Sequence, residues 1–387
     1  MELVFWTAIA IIFYTFLGYG ILLYVLVVLK RIFSSNKTPF DPHYCPSVTF
    51  VVPCYNEADT VVQKINNCLA LDYPKDKLTI IFITDGSNDG SPALIQQFPN
   101  IKLLHSPHRA GKAEAENRAM LHIQSEITVF SDANTILPHD AIQKLVRHYH
   151  NPKVGAVAGE KRIQPKTADQ AAGAGEGIYW RYESLLKRLD SELHTIVGAA
   201  GELFSFRTSL FSPIEKDTIL DDFILSMRIA AKGYLVLYEP EAYAMETASA
   251  SIKEELKRKV RICAGGWQSM SRLLPILNPL PNPVLTFQYF SHRVLRWTIV
   301  PFLLMLVLVL NILLAIDSNL YGMILLVQFS FYGFAIIGWL LENKNIKLKT
   351  FFVPYYFLIM NYSVIAGYIR FMNGQQSAAW ERSKRGI

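Results

Sequence analysis

Three places in the sequence follow a short apolar run with carboxylates or amides that could do chemistry. Ile127 to Ser131 leads into Asp132, Ala133 and Asn134. Mg2+ or Mn2+ takes one or two carboxylates and fills its other positions with phosphate oxygens, so Asp132 with Asn134 could hold a metal that bridges a diphosphate. The same residues suit a turn in which Asp and Asn satisfy backbone donors. Leu78 to Ile83 is followed by Asp85, Gly86 and Ser87, a group that is also common in turns. Asp221 and Asp222 open a helical segment that stops at Gly233. One could cap the helix while the other takes a proton from an acceptor hydroxyl, and the helix N-terminus favours the ionised form that a base needs. Arg258 and Arg261 lie at i and i+3, so they share a face that could neutralise a leaving diphosphate or meet lipid headgroups.

Such groups need a scaffold that gathers them, and Val51 to Gly90 provides its first unit. The runs Val48 to Val52 and Leu78 to Ile83, with a helical segment between them, read as one βαβ unit. Ligands of an open α/β sheet sit outside the carboxyl ends of its strands, so Asn56, Glu57, Asp85 and Asp89 should converge on a crevice that fits a nucleotide. The alternation continues with strands at Ile101 to His105, Ile127 to Ser131, Val154 to Gly159 and Leu203 to Arg207. Helices are expected at Lys112 to Ser125, Pro138 to His150 and Gln170 to Leu189, and a glycine-rich turn at Gly198 to Gly201. One α/β domain over about residues 46–250 accounts for the whole pattern.

The remainder is too apolar for water. Hydrophobic residues make up 51% of the 387, with a mean hydropathy of +0.22, although the net charge is only +6. Phe5 to Leu29 is long enough to cross a hydrocarbon core, and Lys30, Arg31 and Lys37 after it place its carboxyl end in the cytoplasm. Residues 1–30 are therefore an N-terminal transmembrane helix, and 251–293 are amphipathic interfacial helices with basic residues on one side. Residues 294–372 hold three more apolar segments, Val294 to Ile316, Leu320 to Leu341 and Phe351 to Met372. The basic tail, 373–387 with Arg382, Lys384 and Arg385, favours the cytoplasmic side. That conflicts with a count of three spans unless Phe351 to Met372, with Pro354 and Asn361, is re-entrant. The four cysteines lack metal-ligand spacing and are expected to be reduced thiols. No nucleic-acid recognition module is visible, and the spans carry too few ionisable groups for a transport pathway.

The ordered set PCYNE, TDGSNDG, GKAEAEN, SDAN, GAAGELFSFR, ILDDFILSMRIAAKGY and RKVRICAGGW, bracketed by membrane segments, resembles the membrane-embedded family 2 glycosyltransferases, which include cellulose, hyaluronan and poly-N-acetylglucosamine synthases. The resemblance covers about Pro46 to Gln268. It implies a GT-A fold, a Rossmann-like mixed α/β sheet that binds a nucleotide-sugar, here fused to transmembrane and interfacial helices. It further implies a UDP-sugar donor, Mg2+ or Mn2+, and inversion at the anomeric carbon. Position by position, Tyr55 and Glu57 would lie by the nucleoside, Asp85 would meet the base and Lys112 would approach the nucleotide. Asp132 matches the first carboxylate of the DxD metal motif, Asp222 the base of the ED motif and Arg261 the arginine of QxxRW. Gly198 to Glu202 resembles the acceptor-facing loop, and AWERSKRG the gating segment of the synthases. Thr84 stands where DDGS begins with Asp, Asn134 replaces the second DxD carboxylate, and Asp221 replaces the Glu of ED. QxxRW reads Arg258 to Ile262, with Trp267 five residues late.

The expected function is inverting transfer from a UDP-sugar to a hydroxyl at the cytoplasmic face of a bacterial-type inner or plasma membrane, extending a β-linked polysaccharide or oligosaccharide. Single transfer to a lipid or lipid-linked glycan is the alternative, and a nucleotide-sugar sensor or transporter is the reading from another class. Membrane lipids are expected partners, and an export partner or a second copy of the chain is compatible with this scheme.

Overall fold

Val48, Phe50 and Val52 of strand β1 (Val48–Cys54) turn to one face and Val51 to the other, and all four are buried, as in a strand covered on both sides. The structure is a computed structural model. It describes residues 1–33, 44–164, 173–247, 252–342 and 348–374. Expectations about the tail beyond residue 374, including Arg382, Lys384, Arg385 and AWERSKRG, lie outside these residues.

The chain begins with helix α1 (Glu2–Phe33). After β1 come α2 (Val61–Leu69), β2 (Leu78–Asp85), α3 (Ser91–Gln96), β3 (Lys102–Ser106), α4 (Lys112–Met120), β4 (Ile127–Ser131), β5 (Thr135–Ile136) and α5 (Ala141–Val146). Then follow β6 (Val154–Gln164), α6 (Gly173–Leu193), β7 (Leu203–Arg207), α7 (Asp221–Ala231), β8 (Leu235–Thr247) and α8 (Ile252–Arg272). They form one sheet of order β3-β2-β1-β4-β7-β6-β8-β5. β3, β2, β1 and β4 run parallel, β7 lies antiparallel between β4 and β6, and β8 pairs parallel with β6. Phe204, Phe206, Ile224 and Met227 fill the core on one side of the sheet, and Phe82, Val129, Leu145 and Tyr149 that on the other.

Three expected elements change length. The helix from Lys112 ends at Met120 rather than Ser125, and the strand from Val154 extends to Gln164 because β8 pairs along its whole length. The helix at Pro138 to His150 shortens to Ala141–Val146 followed by a 3-10 turn.

Three further helices follow: α9 (Pro283–Leu314), α10 (Asn319–Glu342) and α11 (Lys349–Met372). With α1 they make four helices, among the described residues, long and apolar enough to cross a membrane. The expectation that Phe351 to Met372 is re-entrant is corrected, because α11 is continuous. Pro354 lies inside it and cannot donate the i→i−4 bond, yet the helix runs on through it, and Asn361 donates to the Phe357 carbonyl at 2.8 Å. α11 packs closely on α8, since a Cβ at Gly367 would stand 2.6 Å from Cys263 Cβ. All four cysteines are free.

A buried polar network ties the sheet domain to these helices. Asp190 of α6 accepts from Tyr19 of α1 and lies 2.6 Å from His292 Nδ1 of α9. Glu183, one face along α6, pairs with Arg293 at 2.7 Å and Arg296 at 3.0 Å. Removing one member would strand a buried charge, so the network fixes how α6 sits on α1 and α9.

Candidate active site

Lys112 joins three elements at one point. It is the first residue of α4, after Gly111 at a φ of 100°, and its ammonium lies 3.0 Å from Asp132 Oδ1 at the end of β4. Asp221 Oδ2, in the first turn of α7, is 3.3 Å away, and Glu116 Oε1, one turn along α4, is 3.8 Å away. Asp222 faces the same space: a Cβ on Gly201 would stand 3.0 Å from Lys112 Nζ and 3.4 Å from Asp222 Oδ2. The Gly198 to Gly201 turn thus brings bare backbone up to the carboxylates. Gly198 itself, at a φ of 87°, has no room for a side chain, because a Cβ would meet Phe223 at 2.1 Å.

The electrostatics follow from one cation among four carboxyl groups. Burial would lower the Lys112 pKa, but Asp132, Asp221 and Glu116 outweigh it and hold it well above its ordinary value. Burial raises Asp132 despite the opposing pull of Lys112. Asp222 is pushed up to about 7, first by burial and then by the charge of Asp221. The expectation that the helix N-terminus keeps Asp222 readily ionised is therefore corrected, since burial and a like charge exceed the dipole. The capping role expected for this pair also fails. The N-cap is Leu220, and Asp221 spends its carboxylate on Lys112 instead.

Asp85 is only 2% exposed. Its Oδ2 accepts from the backbone N–H groups of Ala110 at 2.9 Å and Gly111 at 2.6 Å, and its Oδ1 lies 3.4 Å from Arg118. It therefore fixes the loop that delivers Lys112. The same loop carries Arg109, whose guanidinium stacks 3.9 Å from the centre of the Tyr55 ring. The two loops predicted to converge after β1 and β2 do meet. Asn56, at a φ of 52°, exchanges hydrogen bonds with Asn88, Asp89 accepts from Ala58 N at 2.8 Å, and Glu57 N donates to Ser91. Glu57 turns its carboxylate to Thr60 Oγ1 at 2.8 Å.

A second charged group adjoins the first. Asn134 Nδ2 donates to Glu246 Oε1 at 3.3 Å, because β5 pairs antiparallel with β8 and sets Thr135 opposite Glu246. Lys161 bridges Glu246 and Glu202, the residue after Gly201, and Arg258 Nη1 lies 3.7 Å from Glu246. Lys161 and Arg258 hold Glu202 down at about 2 against the effect of burial. Arg258 also pairs with Glu255 at 3.1 Å, and Lys259 is buried beside the same Glu255. At these positions the basic side of α8 is thus paired with the protein's own acids. Arg261 lies one turn from Arg258 and is part-buried.

Among the described residues, no three His, Cys, Asp or Glu side chains are gathered as a metal site. Asp132 and Asn134 offer one carboxylate and one amide oxygen, both hard donors. That set fits Mg2+ or Mn2+, which completes its shell with phosphate oxygens and water.

Glu116, Glu246 and Lys161 went unread in the sequence. Glu116 had a signal: it is an acid four residues after Lys112, on a helix whose inward face is otherwise Ala113, Ala115 and Ala119. Glu246 had none, because its place depends on strand pairing with β5.

Residues 49–214 match the family model described as Glycosyl transferase family 2. The poly-beta-1,6-N-acetyl-D-glucosamine synthase of Staphylococcus aureus (strain MSSA476) is 30% identical over 251 residues, 62% of this chain and 60% of that protein. The protein of the same name from Staphylococcus epidermidis is 27% identical over 305 residues, 76% of this chain and 73% of that protein. The match to the Staphylococcus aureus relative thus spans about 60% of that protein's length. Among solved structures, the mannosyltransferase PcManGT from Pyrobaculum calidifontis, in complex with GDP-Man and Mn2+, superposes with a TM-score of 0.73 at 24% identity. That likeness covers 95% of this chain and 99% of the other, and it concerns the fold. The sheet domain, on a GT-A fold, thus carries a match to glycosyl transferase family 2 over residues 49–214 and is joined, among the described residues, to four helices long and apolar enough to cross a membrane.

Proposed function

We propose that the chain transfers a sugar, with inversion, from a nucleotide-sugar to an acceptor hydroxyl at the cytoplasmic face of a membrane, and that it extends a β-linked polysaccharide or oligosaccharide. The observation that carries this reading is the meeting of Asp132 and the Asp221–Asp222 pair around Lys112. A metal-side carboxylate and a base-side carboxylate then flank one space, as the reaction requires.

In this scheme Asp222 accepts the acceptor's proton as the hydroxyl oxygen attacks the anomeric carbon, and the bond to the diphosphate breaks with its electron pair leaving on the phosphate. Base catalysis of this kind contributes typically about 10² to 10⁴-fold. Lys112, Arg258 and Arg261 meet the charge that develops on the diphosphate. Asp132 and Asn134 would hold Mg2+ or Mn2+, which would supply Lewis-acid neutralisation of phosphate charge. Asp85 acts by ordering the loop that carries Lys112, and Tyr55, Arg109 and Glu57 line the nucleoside side. Lys30 and Arg31 at the end of α1 support a cytoplasmic domain.

The relatives named as polysaccharide synthases favour a polymer product, and a UDP-sugar is the donor that the resemblance in sequence implies. Single transfer to a lipid or lipid-linked glycan is the second reading. It is favoured by Ile262 in place of the QxxRW tryptophan and by Trp267, whose ring packs at a tilt against Tyr368 of α11 with centroids 4.7 Å apart. Purified protein screened with a panel of nucleotide-sugars, with and without Mn2+, should release nucleoside diphosphate from one of them in a metal-dependent way. A product ladder from labelled donor supports the polymer, a single product the lipid acceptor, and no release with any donor contradicts the proposal.

A further inference from the structure

Glu116 is a carboxyl group in a place where a carboxylate has no means of support. Its side chain is 1% exposed, and no hydrogen-bond donor among the described residues reaches either oxygen. Lys112 gives its shorter contacts to Asp132 and Asp221 and stands 3.8 Å from Glu116. Facing Glu116 are Lys112 on its own helix and Asp221 and Asp222 on α7, and Glu116 Oε1 and Asp221 Oδ2 gather around the one Lys112 nitrogen at 3.8 Å and 3.3 Å. Two carboxylates cannot bond to one another unless one carries a proton. One ammonium cannot balance four carboxylates, and a buried acid in this position resolves the excess by staying neutral.

We propose that Glu116 is protonated at neutral pH and donates its proton in a hydrogen bond to Asp221, acting as a positioning residue behind the base. The bond turns Asp221 towards Lys112 and leaves one negative charge, rather than two, behind Asp222. Burial first, and Asp221 second, push the Glu116 pKa well above the ordinary carboxyl range, in agreement with the geometry. A neutral carboxyl that works as a donor is a known use of an apolar site. The role in turnover rests on the reading of Asp222 as the base, whereas the protonation state does not.

The first test therefore needs no turnover. The infrared difference spectrum of the whole, ligand-free chain in detergent, wild type minus Glu116→Gln at pH 7, should show the C=O stretch of a protonated carboxylic acid. A carboxylate signal in its place overturns the proposal, whatever Asp222 does. In turnover, Glu116→Ala should lower kcat by about tenfold and move the acid limb of kcat/KM up by about one pH unit. Glu116→Gln, whose amide can donate the same bond, should recover most of both. Equal losses in the two variants contradict the donor role.

Discussion

Asp85 Oδ2 accepts the backbone N–H of Gly111 at 2.6 Å, so a carboxylate at the end of β2 fixes the residue that precedes Lys112. The lysine's approach to Asp132 and Asp221 is built on that bond and on the parallel one from Ala110. A sheet edge thereby sets the position of a side chain in the next loop but one.

Asp85→Ala should leave two N–H groups without their acceptor and free the loop. The expected cost is about 2 kcal/mol of stability, from charge-assisted bonds of this kind. Donor KM should rise by about tenfold as Lys112 loses its place. Asp85→Asn, which keeps an acceptor oxygen, should lose less of both. Thermal melts and donor kinetics check this, and an unchanged KM in Asp85→Ala contradicts the role of the loop.

Lys112→Met removes the cation among Asp132, Asp221, Asp222 and Glu116 while keeping most of the volume. The Asp222 and Glu116 pKa values, already raised in the folded protein, should rise further. A raised acid pKa means the folded state binds more protons than the unfolded one, so stability falls as pH climbs towards the folded value. The melting temperature of Lys112→Met should therefore lie further below wild type at pH 8 than at pH 5.

The same sign applies to Asp222 alone. Its folded value of about 7 stands above the ordinary 3.8, so stability is lost as the pH rises from about 3.8 to about 7 and stays lost above that. Asp222→Asn should melt higher than wild type at pH 8, by roughly 2–4 °C, and match it near pH 4. In the wild type, kcat/KM should rise with pH and level off above about 7, as the base loses its proton.

Gly201→Ala should fold, because the nearest atom to the new Cβ is the flexible end of Lys112, at 3.0 Å. The methyl group would occupy the space beside Asp222. An activity loss of about tenfold or more, with a melting temperature near wild type, is expected from displacing reacting groups there. Unchanged activity would place the acceptor elsewhere.

Much of this site was legible because its chemistry sits in turns directly after apolar runs. Asp85, Asp132 and Asp222 each mark the edge of an element whose period is plain, and the α/β alternation states that such edges share one side of the sheet. β8 was not legible. Its sequence, LVLYEPEAYAMET, mixes Glu239, Pro240 and Glu241 into the strand, and the pairing with β6 shifts register after Gly159 to take up the irregularity. Glu246 reaches Asn134 only through that strand. Glu116 was hidden for a different reason, since a burial penalty depends on neighbours from another helix. The re-entrant reading of Phe351 to Met372 gave Pro354 and Asn361 a helix-breaking weight, whereas the helix runs on through Pro354 and Asn361 bonds back to the preceding turn.

The central claim is that Asp222 is the base in a site where Asp132 faces the donor. The direct measurement is turnover and donor binding in Asp222→Asn, using the nucleotide-sugar that the wild type accepts. The claim predicts that transfer falls by about 10² to 10⁴-fold while the donor still binds with near wild-type affinity. Transfer at the wild-type rate in that variant would contradict it.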